Sequence, residues 1–238
     1  GFAMPLAKNG RFGVIGFNFT ALTQAPLEAR DADDNPAGEF NAWSGILGLT
    51  YAKKLDSLRA GVGLKYVRQA IADQTASGVA VDLGVQKKMS SMLLGVSMQN
   101  LGPAMMFVSE SFYPPLSLNA GVGYSLNRSM QFLLTGQHRP YANKTIFGAG
   151  IQVNLVQALF VRSGYFGQFS SDNQALKTNP LANLGLGLGW RLPKRRLSFD
   201  YALSPGDNNL GIAHRVSMQA RWGRSNAAQT EGPEDPYR

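Results

Sequence analysis

Residues 116–126 read LSLNAGVGYSL, and the segment divides by twos. Leu116, Leu118, Ala120, Val122, Tyr124 and Leu126 fall on one face, and Ser117, Asn119, Gly121, Gly123 and Ser125 on the other. A period of two is the mark of a strand, because successive side chains of a pleated chain point to opposite sides. The same division recurs in both directions along the sequence. Leu58, Ala60, Val62, Leu64 and Tyr66 oppose Arg59, Gly61, Gly63 and Lys65. Further on, Leu184, Leu186, Leu188 and Trp190 oppose Gly185, Gly187, Gly189 and Arg191, and Leu197, Phe199, Tyr201 and Leu203 oppose Ser198, Asp200, Ala202 and Ser204.

The composition of the second face decides what the strands build. A soluble sandwich or lipocalin turns its apolar face inward and covers the outside with Lys, Glu and Thr. Here the polar face is mostly glycine, serine and glutamine, which suits a lumen, with the apolar face turned to lipid. Tyr51, Tyr66, Tyr124, Tyr165, Trp190 and Trp222 sit near strand ends, where aromatic residues meet the membrane interfaces.

Composition narrows the alternatives. Only 16% of the 238 residues are charged, and a mean hydropathy of -0.13 averages over the uneven pattern. A helical span needs roughly 20 consecutive apolar residues, and glycine or a polar residue interrupts every stretch well before that. The opening GFAMPLAKNG has no basic region, apolar core or cleavage site, so it does not read as a secretory signal. The absence of cysteine removes disulfides and thiolate metal sites, and is in keeping with a periplasm-facing protein. The net charge of +8 is not gathered into one basic block with interleaved aromatics, which argues against nucleic acid. Lys53 and Lys54, Lys87 and Lys88, and Lys194, Arg195 and Arg196 lie at segment ends, where charge meets water or lipid headgroups.

Alternation and turn chemistry predict strands at 1–7, 11–22, 42–53, 58–71, 77–87, 91–100, 116–126, 130–137, 145–154, 157–166, 183–192, 196–204 and 213–222. Short connections at 8–10, 54–57, 88–90, 127–129, 155–156 and 193–195 alternate with mostly longer ones at 23–41, 72–76, 101–115, 138–144, 167–182 and 205–212. That rhythm is the topology of an outer-membrane barrel, with short turns periplasmic and the loops at 23–41, 101–115 and 167–182 outside. The fold class is therefore all-β, a transmembrane antiparallel up-and-down β-barrel. Single-chain bacterial barrels have an even number of strands, so thirteen segments lead us to expect a further strand before residue 1. The expected organisation is a barrel over 1–223 and a disordered polar tail over 224–238.

Several segments in this order resemble the PorV/PorQ proteins, which are similar to the FadL hydrophobe transporters. The carriers are GLKYVRQAI at 63–71, GVAVDLG at 78–84, VSMQNLG at 96–102, PPLSLNAGVGYSL at 114–126, VRSGY at 161–165 and FDYALSPGDNNLGIAHRVSM at 199–218. The resemblance implies a barrel of 14 strands, about 13 of them in this chain, whose N-terminal segment plugs the lumen. It also implies service in type IX secretion, or passage of hydrophobic compounds. The first strand and plug of that pattern have no counterpart in this sequence. NPAG at 35–38 looks like the NPAG of a FadL-type plug, but it follows a strand within acidic DADDNPAGEF and reads as a surface turn.

Candidate sites are few. His138 and His214 are the only imidazoles; one opens a loop and the other starts a strand, so both read as structural, and no catalytic set of Ser, His and acid stands out. No metal-binding spacing and no cofactor motif occurs. The polar face carries the charges Arg59, Lys65, Asp82, Arg162, Arg191, Asp200, Arg215 and Arg221. Charge inside a barrel is costly unless paired or hydrated, so Asp82 and Asp200 are expected to bind neighbouring Arg or Lys. The glycine stripe, including Gly61, Gly63, Gly121, Gly123, Gly148, Gly150, Gly185, Gly187 and Gly189, provides either strand curvature or interior room. The expected protein is a non-enzymatic barrel of the bacterial outer membrane. Its partners are membrane lipid together with secretion proteins or a hydrophobic solute, and a general diffusion porin or an outer-membrane hydrolase are the alternatives.

Overall fold

A computed structural model describes residues 1–7, 11–107, 109–170, 183–192, 196–205 and 211–222. In chain order the strands begin with β1 (Phe2–Pro5), β2 (Val14–Thr23), β3 (Leu27–Arg30), β4 (Pro36–Phe40), β5 (Ala42–Leu55) and β6 (Leu58–Ile71). Then come β7 (Gln74–Met89), β8 (Met92–Leu101), β9 (Met105–Phe107), β10 (Glu110–Phe112), β11 (Ser117–Ser125) and β12 (Met130–Arg139). After a 3-10 turn at Pro140–Ala142 follow β13 (Lys144–Val156), β14 (Leu159–Ser170), β15 (Leu184–Leu192), β16 (Leu197–Pro205) and β17 (Ile212–Ala220). All thirteen segments expected from the alternation are strands of one sheet, ordered β1-β2-β5-β6-β7-β8-β11-β12-β13-β14-β15-β16-β17. Each strand pairs with its predecessor in that order, so the sheet is an up-and-down meander whose end strands are β1 and β17.

Turn chemistry fixes where strands reverse. Leu55 pairs with Leu58 across Asp56 and Ser57, and Ile71 with Gln74 across Ala72 and Asp73. Asp56 and Ala72 both take φ 52°, the left-handed conformation that a two-residue hairpin with the strands' own twist requires. The reversal at 72–73 corrects the longer connection expected at 72–76, because Gln74 and Thr75 already pair with Ile71 and Ala70.

Two long connections hold structure of their own. β3 and β4 form a hairpin inside 23–41, and β9 and β10 another inside 101–115. NPAG is thus only partly a turn: the reversal runs from Asp31 to Asn35, and Pro36–Gly38 belong to exposed β4. The connections 8–10 and 193–195, most of the loop 167–182 and the tail 224–238 lie outside the described residues.

Register carries the two-faced pattern from strand to strand. Val62, Leu64 and Tyr66 stand opposite Leu83, Val81 and Val79, while Gly63 and Lys65 stand opposite Asp82 and Ala80. Leu186, Leu188 and Trp190 face Leu203, Tyr201 and Phe199. Most strand-face leucines are exposed, Leu64 at 53% and Leu188 at 49% among them, whereas the buried apolar residues among those described are only Ala70, Ala76, Ala80, Met105 and Phe160. Each exposed leucine would forgo roughly 1.5–3 kcal/mol of burial in water, so this face requires an apolar surrounding.

The chain groups into two compact units. The first comprises Gly1–Met89, Leu94–Ala120 and Gln137–Lys144, and the second Ser90–Leu93, Gly121–Gly136 and Thr145–Arg238.

Candidate functional site

Within the first unit, the glycine-bearing face gathers polar side chains into two bonded sets. Lys65 Nζ lies 2.6 Å from Asp82 Oδ2 and donates to Asn100 Oδ1 at 2.9 Å. Asp82 Oδ1 accepts the Asn100 backbone N–H at 2.9 Å, and Asn100 Nδ2 donates to the Pro115 carbonyl at 3.1 Å. Strand pairing explains the reach: Lys65 is diagonal to Asp82, each standing opposite a small residue, Ala80 or Gly63. The second set joins Ser97, Asn119, Gln137 and Arg139. Asn119 Nδ2 donates to Ser97 Oγ at 3.3 Å, Gln137 Nε2 to Asn119 Oδ1 at 2.9 Å, and Arg139 Nε to Gln137 Oε1 at 3.1 Å. Beside them the buried Ser117 hydroxyl has no hydrogen-bond partner among the described residues.

The second unit carries a cationic and aromatic group on the same kind of face. Arg162 Nε donates to Gln152 Oε1 at 2.7 Å and its Nη1 to Asp200 Oδ1 at 2.9 Å. That ion pair spans β15, and it can do so because the positions beneath it are Gly187, opposite Arg162, and Gly189, opposite Asp200. Phe160, also opposite Gly189, is buried on this polar face with the Arg162 and Arg191 guanidinium carbons 4.5 and 5.6 Å from its ring centroid. Glycine is required there, since a Cβ at 189 would overlap the Phe160 ring.

The charges singled out in the sequence therefore separate by role. Asp82 has Lys65 and Asp200 has Arg162. Arg191 lies against Phe160, and Arg215 stands opposite Ala202 with no side-chain partner among the described residues. Arg59 stands between Lys54 and Gln86 in register. Arg221 is beyond the end of β17, its backbone N–H donating to the Arg196 carbonyl at 3.0 Å. His214 Nδ1 is 2.7 Å from the Tyr201 hydroxyl on the exposed apolar face. No cluster of three or more metal-ligating side chains occurs among the described residues. Sequence reading missed Asn100 and Phe160. The signal for Asn100 was its place before Leu-Gly at a strand end, and for Phe160 a large ring in the same alternation as Arg162.

No protein-family model matches the sequence, and comparison with curated proteins returns no match. Solved structures do resemble it. Two crystal structures of the Pseudomonas putida toluene transporter TodX each superpose with a TM-score of 0.56 at 10% identity. One covers 81% of this chain and 73% of TodX, the other 87% and 76%. A mutant Rhodopseudomonas blastica porin reaches a TM-score of only 0.39 at 8% identity, with 88% and 91% covered, too low a value to weigh. With the meander order, the antiparallel pairing and the outward apolar face, the likeness to TodX identifies the fold as that of a transmembrane, antiparallel up-and-down β-barrel of the outer-membrane kind.

Proposed function

We propose that the protein is a non-enzymatic barrel of the bacterial outer membrane that lets small hydrophobic compounds cross, with its glycine-bearing face lining the lumen. One observation carries this reading: the polar groups of that face are bonded to one another, as Lys65, Asp82 and Asn100 in one unit and Gln152, Arg162 and Asp200 in the other. A polar solute binds where donors and acceptors stand unpaired and converge, and here most are already satisfied. Apolar Met105 and Phe160 lie among them. The fold shared with a toluene transporter supports the same class of solute.

The test is uptake of radiolabelled toluene by cells with and without the protein. Faster entry in its presence is expected, and equal rates would refute the proposal. Location is tested by placing cysteine at the exposed Asp33 in the β3–β4 turn, which should react with impermeant maleimide on intact cells.

A second reading, PorV/PorQ-type service in type IX secretion, rests on the ordered sequence segments. GLKYVRQAI lies on β6, GVAVDLG on β7, VRSGY on β14, and FDYAL and GIAHRVSM fall on or beside β16 and β17. Loss of secreted cargo from the medium on deleting the gene, with toluene entry unchanged, would favour it.

A further inference from the structure

The chain leaves regular strand geometry at the end of β8. Asn100 adopts a left-handed φ of 61°, which asparagine tolerates better than most residues. Its backbone N–H bonds Asp82, its side-chain oxygen accepts from Lys65, and its amide nitrogen donates to Pro115, so one residue ties both ends of the segment 101–115 to β6 and β7. At Gly102 the backbone passes so close to the Val79 carbonyl that a Cβ there would overlap it. The β9–β10 hairpin then lies against β7. Buried Met105 fills the space over Gly78, its Cγ and Sδ 2.5 and 2.9 Å from where a Cβ would stand, and Ala76 and Ala80 on either side are buried too. Residues 76, 78 and 80 share the face of Asp82. Met105 therefore covers the polar face of β7 at Gly78.

We propose that the β9–β10 hairpin is an in-folded constriction that sets the size limit of the route through the barrel, held down by Met105 in the seat formed by Ala76, Gly78 and Ala80. The proposal rests on the reading of this face as the lumen wall. It also gives the Lys65–Asp82 pair a purpose: with Asn100, the pair fastens the base of the hairpin.

The chain has no cysteine, so Gly78→Cys together with Met105→Cys introduces two thiols, both at the seat. Oxidation of the intact protein should join them, and the joined protein in planar bilayers should keep the wild-type conductance and exclude the same polyethylene glycols. Replacing 103–113 by a short Gly-Ser link should raise conductance roughly threefold or more, as expected when a loop leaves a barrel lumen, and should admit larger glycols. Gly78→Leu fills the seat without shortening the chain and should shift the size limit in the same direction. Thiols that do not join would overturn the proposal. So would a wild-type size limit in both the shortened protein and Gly78→Leu. The glycol limit and toluene entry are independent readouts. A shifted limit without toluene entry would refute the proposed solute class alone, and toluene entry with an unshifted limit would refute the constriction alone.

Discussion

Three glycines at alternate positions of β15 should respond very differently to the same added methyl group. A Cβ at Gly185 would come no nearer than 3.8 Å to any neighbour, the Gly164 carbonyl, and at Gly187 it would meet the Tyr201 carbonyl and Arg162 Cβ at 3.5 and 3.6 Å, ordinary contact distances. At Gly189 it would overlap the Phe160 ring. Replacing a strand glycine by alanine recovers about 0.5–1 kcal/mol of backbone entropy where space allows, so Gly185→Ala should stabilise slightly and Gly187→Ala should change little. Gly189→Ala must expel Phe160. It forfeits about 1.5–3 kcal/mol of aromatic burial and about 0.5–1 kcal/mol for each stacked guanidinium, against the entropy gain, for a loss of roughly 2–4 kcal/mol. The assay is guanidinium unfolding from lipid vesicles, followed by tryptophan fluorescence. Once Phe160→Ala has emptied the seat, adding Gly189→Ala should cost nothing more, a non-additivity that marks direct contact. A Gly189→Ala protein as stable as Gly185→Ala, or additive losses in the double variant, would refute the reasoning.

Other outcomes follow from the same faces. Leu186→Arg, on the exposed apolar side opposite Leu203, should cost about 2–4 kcal/mol if it lies near the bilayer midplane, whereas Gly187→Ser should cost no more than about 1 kcal/mol; equal losses in vesicle unfolding would contradict the assignment of faces. Lys65→Gln should destabilise by about 1–3 kcal/mol and Arg162→Gln by less than about 1 kcal/mol, because the first pair is the more enclosed, with side chains 22% and 23% exposed against 50% and 31%. In the β3–β4 turn, Asp31 accepts backbone N–H bonds from Asn35 and Asp33, and these hold its carboxyl below the ordinary range despite slight desolvation. A depressed folded pKa contributes stability that is present above the unfolded value of about 3.9 and is lost as pH falls through the folded one. Protection of the Asn35 amide, its exchange rate relative to the unstructured rate at the same pH, should accordingly fall at acid pH in the wild type and stay constant over that range in Asp31→Asn.

The thirteen strands were legible because one face of each is apolar for eight residues or more in most cases, long enough for a period of two to rise above chance. The added hairpins were not. β9 and β10 are MMF and ESF, three residues each, too short to show a period, and their place is decided by Met105 meeting Gly78 far away in sequence. β4 begins at Pro36, which reads locally as turn chemistry. Pairing of Asp82 and Asp200 was foreseeable from the cost of lone charge, but the partners were not. Lys65 reaches Asp82 diagonally, and Arg162 reaches Asp200 across an intervening strand, relations that exist only once register is set.

That last relation bears on how the sheet assembles. Arg162 and Asp200 meet across β15 only if the β14–β15 and β15–β16 ladders are both correctly aligned. A slip of one residue in either ladder would turn one of the two charges to the opposite face, toward lipid. The ion pair thus acts as a checksum on two successive alignments. In a meander whose neighbouring strands offer similar glycine and leucine repeats to every partner, such a checksum separates the native alignment from near-isoenergetic slipped ones before the membrane makes them slow to correct.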